Sequence, residues 1–122
     1  MLDPRSISRP VYTALNTIAT QAANDQGRRD EQYGQAVELY TYLATWGLIR
    51  LKAEENALGQ EGKKQVVQRF FSVLQEVSHT QGLAEAGGVQ VLLGMNSSQY
   101  LGLTGLGLQV AREFAFWAGA IY

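Results

Sequence analysis

Gly102, Gly105 and Gly107 lie in the closing run YLGLTGLGLQVAREFAFWAGAIY, Tyr100 to Tyr122. Closely spaced glycines raise the question of a loop that cradles a phosphate. Their order, GxxGxG, is the reverse of the dinucleotide fingerprint GxGxxG. No strand precedes them, and no acidic residue follows at the distance a ribose contact requires. A Walker-type loop would also end in Gly-Lys-Ser/Thr, which is missing here. The glycines therefore point to packing rather than to phosphate chemistry.

Other chemistry-bearing residues are few. His79 is the only histidine and falls in an expected loop, and cysteine is absent, which removes disulfides, thiol nucleophiles and thiolate metal sites together. The nearest carboxylate cluster is Glu54, Glu55 and Glu61. Adjacent Glu54 and Glu55 do not share a helix face, so they read as a solvated turn end. No catalytic set, metal site or cofactor site is expected.

Basic residues offer more. Arg50, Lys52, Lys63, Lys64 and Arg69 fall between the end of one expected helix and the middle of another. Lys63 and Lys64 occupy a first turn, where the helix dipole disfavours cations by roughly 0.3–1 kcal/mol. Glu61 beside them offsets this, or a phosphate does, since a helix N-terminus favours anions. These five are the candidate contacts to an RNA backbone; the plainer reading is a solvated charged face. Arg28 and Arg29 read as partners of the preceding helix C-terminus. Tyr33 and Tyr40 read as core, leaving Tyr42 as the tyrosine to test for stacking.

The composition bounds these readings. A chain of 122 residues with 46% apolar and 17% charged residues makes one globular domain, 1–122. Its net charge of −1 supplies no global attraction for nucleic acid, so any such contact must be local. Without cysteines, and with no apolar core in MLDPRSISRP, a cytoplasmic protein is expected.

Helical spacing of apolar residues runs almost throughout, and the expected fold class is all-α: a compact bundle of about five or six helices. Ile7, Val11, Ala14, Leu15, Ile18 and Ala22 mark the first helix, with Ser8 as its cap and Pro10 in its first turn. Asp30 and Glu31 open the second, which puts Tyr33, Ala36, Val37, Tyr40, Leu43 and Ala44 on one face. Gly47 ends or bends it, and Leu48 to Ala57 is helical again. The segment ALGQEG is a loop. Val66, Val67, Phe70, Phe71, Leu74 and Val77 form the cleanest stripe, which SHTQG terminates. Leu83 to Met95 is a weak helix, since Gly87 and Gly88 each cost ~1 kcal/mol in a helix interior. Asn96-Ser97-Ser98 then caps the last helix.

In that last helix Leu103, Leu106, Val110, Phe114, Trp117 and Ile121 repeat at three and four residues. Gly102, Gly105, Gly107 and Ala111 leave room for a neighbouring helix beside this stripe. Leu103, Leu106, Val110, Phe114 and Trp117 are thus packing residues or an interface with another subunit. A membrane span is disfavoured, because Arg112 and Glu113 would lie near its middle at roughly 2.5–3.5 kcal/mol each.

Two stretches carry a resemblance. Tyr100-Leu101-Gly102-Leu103-Thr104, then Leu108 and the aromatic end Phe114 to Trp117, is similar to the C-terminal signature of the small helical subunit of Cmr-type (type III-B) CRISPR RNA-guided effector complexes. YGQAVELYTYLATWGLIRLKA, Tyr33 to Ala53, resembles the same family's tyrosine-led helix followed by a Gly-Leu dipeptide, here Gly47-Leu48. The chain departs from the family in having Arg50, Leu51 and Lys52 where Ala-Phe-Leu is usual, and only Arg112 as a basic residue in the last helix. The resemblance implies a divergent member, or the equivalent small subunit of another type III subtype. It implies a non-enzymatic role: stacking on neighbouring copies and on other effector-complex protein subunits, and helping to line the channel where guide RNA pairs with target RNA in antiviral defence. The competing expectation is a helical protein–protein adaptor or homo-oligomeric scaffold without RNA.

Overall fold

The computed structural model describes residues 5–122 and is all-helical among them. Six helices follow in order: α1 (Arg5–Gln21), α2 (Gln26–Trp46), α3 (Leu48–Glu55), α4 (Glu61–Ser78), α5 (Gly88–Leu93) and α6 (Ser97–Ile121). Helices α1, α2, α4 and α6 pack on one another as a bundle. The short α3 and α5 pack together, with α3 also against α2 and α4. No helix of the described residues is long and apolar enough to cross a membrane.

Helices α1 and α4, and less completely α6, bury the faces that their spacing marks. Ile7, Val11, Leu15 and Ile18 of α1 meet Val66, Phe70, Phe71 and Leu74 of α4 and Val110 and Phe114 of α6 in one continuous core. Phe70 sits 5.1 Å from Phe71 and 6.0 Å from Phe114, centroid to centroid, and all three are fully buried. Burying each such side chain contributes about 1.5–3 kcal/mol.

Helix ends are set by local chemistry. The Asp25 carboxylate caps α2 by accepting from the Arg28 N–H at 2.9 Å, so the helix begins at Gln26, four residues before the expected Asp30. Asn96 caps α6 in a reciprocal box with Gln99, as its position implies. His79 ends α4 with φ 56°, a left-handed conformation, and is exposed. Gly47 stops α2 with φ 87° and ψ 172°, a region open essentially to glycine alone, and α3 starts at the next residue.

Three expectations need correction. Ser8 does not cap α1: the helix already runs from Arg5, and Ser8 instead donates to the Glu113 carboxylate on α6. Pro10 accordingly lies inside the helix rather than in its first turn. On α2 the buried face is Gln32, Gln35, Ala36, Leu39 and Leu43, whereas Tyr33, Val37 and Ala44 are exposed and Tyr40 is half-buried. Gln32 can be buried because its amide donates to the Ile18 carbonyl and to Gln65 Oε1, while its own oxygen accepts from the Tyr122 hydroxyl.

Candidate functional site

Leu103, Val110 and Phe114 are core residues of their own chain, and Leu106 and Trp117 pack half-buried against that core. All five therefore serve internal packing. Of the small residues beside them, only Gly107 and Ala111 are buried. A Cβ on Gly107 would stand 3.3 Å from both Leu43 and Leu48, so this glycine permits the approach of α2 and α3. Gly102 and Gly105 are exposed, with open space where a Cβ would go.

The five basic candidates do not form one face. Arg50 is exposed at the start of α3 and lays its guanidinium 4.2 Å over the ring of Trp46, itself 52% exposed. Lys52 points inward and is only 3% exposed. Its ammonium lies 3.1 and 3.3 Å from the two oxygens of Glu55 and 5.0 Å from the Phe71 ring centroid. It cannot reach an RNA phosphate from there, so Lys52 leaves the candidate set. The reason is spacing: Leu48, Leu51, Lys52 and Glu55 share one helix face, and that face is buried.

Lys63 and Lys64 are half-buried in the first turn of α4, as expected. No phosphate is needed at that helix end. Glu31 of α2 supplies the anion, its carboxylate accepting from the Gly62 N–H at 2.9 Å. Gly62 makes the contact possible, since a Cβ there would fall 2.6 Å from the Glu31 Cβ and 2.7 Å from the Arg28 carbonyl oxygen. Arg69 lies further along α4, about 140° around the helix from Lys64. It lines a groove of about 370 Å³ between α1 and α4, together with Arg9 and Thr13.

Sequence reasoning missed the N-terminal half of α1. Arg9 borders three adjoining depressions: the groove with Arg69, a second with Arg5 and Glu76, and a third lined by Arg5, Ser8, Tyr12 and Trp117. The signal was present, because Arg5, Arg9 and Tyr12 stand at i, i+4 and i+7 and so share one helix face. Tyr12 meets Trp117 edge-on at 5.2 Å, and Trp117 meets Phe116 edge-on at 5.0 Å. Tyr12 is 44% and Phe116 64% exposed. Glu113 fixes the centre of this row, accepting from the Trp117 indole N–H at 3.3 Å and from the Ser8 hydroxyl.

The other aromatic candidates are tied into the fold. Arg112 donates to the Tyr40 hydroxyl at 3.0 Å and stacks on its ring. Tyr33 leans edge-on against Tyr122 at 6.3 Å. Arg29 donates to the Ala19 carbonyl at the end of α1 at 3.0 Å, as the dipole reasoning expects, and covers the Tyr122 ring. Burial pushes the Tyr122 hydroxyl up to about 12, against a smaller opposing pull from Arg29. Tyr42 is half-buried, and its hydroxyl is raised by burial and by Glu54, with Arg50 opposing. Among the described residues no three His, Cys, Asp or Glu side chains converge as a metal site would require. Glu55 faces Lys52 inside, while Glu54 and Glu61 are exposed.

The segments that carry the family resemblance meet. The Tyr100 hydroxyl accepts from the Ile49 N–H at 3.3 Å, beside Gly47 and at the start of α3. No family model matches the sequence, and no curated protein or solved structure is significantly similar to it.

Proposed function

We infer that this chain is a non-catalytic small subunit of a type III CRISPR RNA-guided effector complex. In that role it stacks with neighbouring subunits and helps line the guide and target RNA channel. The observation that carries the reading is the Tyr100–Ile49 hydrogen bond. It joins the Tyr100-Leu101-Gly102-Leu103-Thr104 stretch of α6 to the Gly47-Leu48 junction, so the two motifs of the resemblance form one structural unit. The exposed side of α6 supports a stacking role. It presents Leu101 and Phe116, 68% and 64% exposed, on either side of open Gly102 and Gly105.

Capture of the full chain from its native cells, with bound RNA sequenced and bound proteins identified, tests this. Repeat-derived guide RNA and backbone subunits in a fixed ratio are expected. A second reading, a protein–protein adaptor without RNA, is favoured by one observation: Arg50, Lys52, Lys63, Lys64 and Arg69 do not converge on one face. Recovery of protein partners with no RNA would establish the adaptor instead.

A further inference from the structure

We propose that the slot between Arg9, Tyr12 and Trp117 stacks one unpaired base of a single-stranded RNA, with Arg9 and Arg69 holding the phosphates that flank it. This rests on the RNA-guided reading above and names where on the chain the RNA is held.

The slot is a depression of about 290 Å³ whose walls are almost wholly apolar, although two of its lining residues are arginines. Its aromatic floor is held in place beforehand. Glu113 ties the indole N–H of Trp117, and Tyr12 and Phe116 each meet the ring edge-on. A fixed, partly exposed aromatic row beside guanidinium groups is the arrangement that binds single strands, because every base offers a π-face and every linkage a phosphate.

Charge placement favours a polyanion over an apolar peptide. Arg9 is exposed, borders all three adjoining depressions and makes no hydrogen bond or ion pair with another of the described residues, and Arg69 lines the next groove along α4. Among the described residues the facing carboxylates are Glu76, exposed at the edge of the same grooves, and Glu113, already occupied by Ser8 and Trp117. On a chain of net charge −1, Arg9 and Arg69 on adjoining grooves form a local basic track.

The protein contains two tryptophans, so in the full-length Trp46→Phe variant the indole emission comes from Trp117 alone. Titration of that variant with a short single-stranded oligoribonucleotide is expected to give saturable, salt-sensitive quenching. The same RNA in duplex form is expected to give little. Arg9→Glu should lower the affinity roughly tenfold or more, and Arg9→Lys should restore most of it. Phe116→Ala, at an exposed position, should weaken quenching without altering the thermal melt.

RNA binding without Trp117 quenching, or quenching unaffected by Arg9→Glu, would overturn the slot. So would an absence of RNA binding, or quenching by an acidic peptide in place of RNA. Failure of the slot leaves guide RNA in the captured complex, whereas failure of the effector reading leaves a capture free of guide RNA even if the slot binds RNA in isolation.

Discussion

The Tyr100 hydroxyl accepts from the Ile49 N–H at 3.3 Å, and the same oxygen would stand 3.3 Å from any Cβ placed on Gly47. The first N–H groups of a helix have no partner inside the helix, so α3 obtains one from α6. Gly47 must adopt φ 87° and ψ 172° to turn the chain beneath that hydroxyl.

Breaking either half of this junction should therefore be costly, and the two effects should couple. Tyr100→Phe is expected to lose about 0.5–1.5 kcal/mol. Gly47→Ala is expected to lose roughly 1–3 kcal/mol through backbone strain. Urea unfolding of both variants and the double variant checks this, with a double loss that departs from the sum of the singles.

Lys52 and Glu55 are both buried and bonded to each other, so removing one leaves the other as an unpaired charge. Lys52→Met should cost about 3–5 kcal/mol, whereas Lys52→Met with Glu55→Leu should be close to neutral or stabilising. Thermal denaturation distinguishes the outcomes. RNA affinity of the folded double variant should match that of the unaltered protein, because Lys52 does not reach the surface.

Gly102 and Gly105 lie in a helix with open space where a side chain would go. Gly105→Ala should stabilise the isolated chain by about 0.4–1 kcal/mol, by restricting the unfolded state. Gly62→Ala should do the opposite, because its Cβ would strike Arg28 backbone and Glu31. Melting temperatures read both. If α6 stacks on a neighbouring subunit through this face, Gly105→Ala should also weaken assembly while raising the melting temperature.

Tyr122 is held protonated by burial, with its hydroxyl raised from 10.0 to about 12 and donating to Gln32. A folded-state value above the unfolded one means that the contribution is complete below pH about 10 and is lost as pH rises toward 12. Tyr42 shifts in the same direction. Stability should thus fall in this alkaline window, and Tyr122→Phe should flatten part of the fall. Denaturant midpoints of the two proteins across that range provide the check.

Much of the fold was legible because its helices follow the 3.6-residue period and their breaks carry Gly, Asn or Asp. Asn96 was readable as a cap since the cap and Gln99 are close in sequence. Polar burial was not readable. Gln32 enters the core through partners at Ile18, Gln65 and Tyr122, and no local pattern announces them. The anion at the α4 N-terminus comes from Glu31, a distance of 31 residues, so charge spacing alone pointed to a ligand that the chain itself supplies. Lys52 is a different case, for its spacing with Leu48, Leu51 and Glu55 did mark the buried face, but its charge argued for the surface. Arg5, Arg9 and Tyr12 likewise shared a legible helix face, while Trp117 and Arg69 joined them only through packing.

The proposed place of this chain is inside an RNA-guided assembly. Native mass spectrometry of the complex captured with this chain, before and after ribonuclease treatment, reads whether RNA is part of it. Expected is a particle containing the chain, several other subunits and one guide RNA, whose mass falls when the RNA is digested. A particle of unchanged mass, holding protein partners and no RNA, would contradict it.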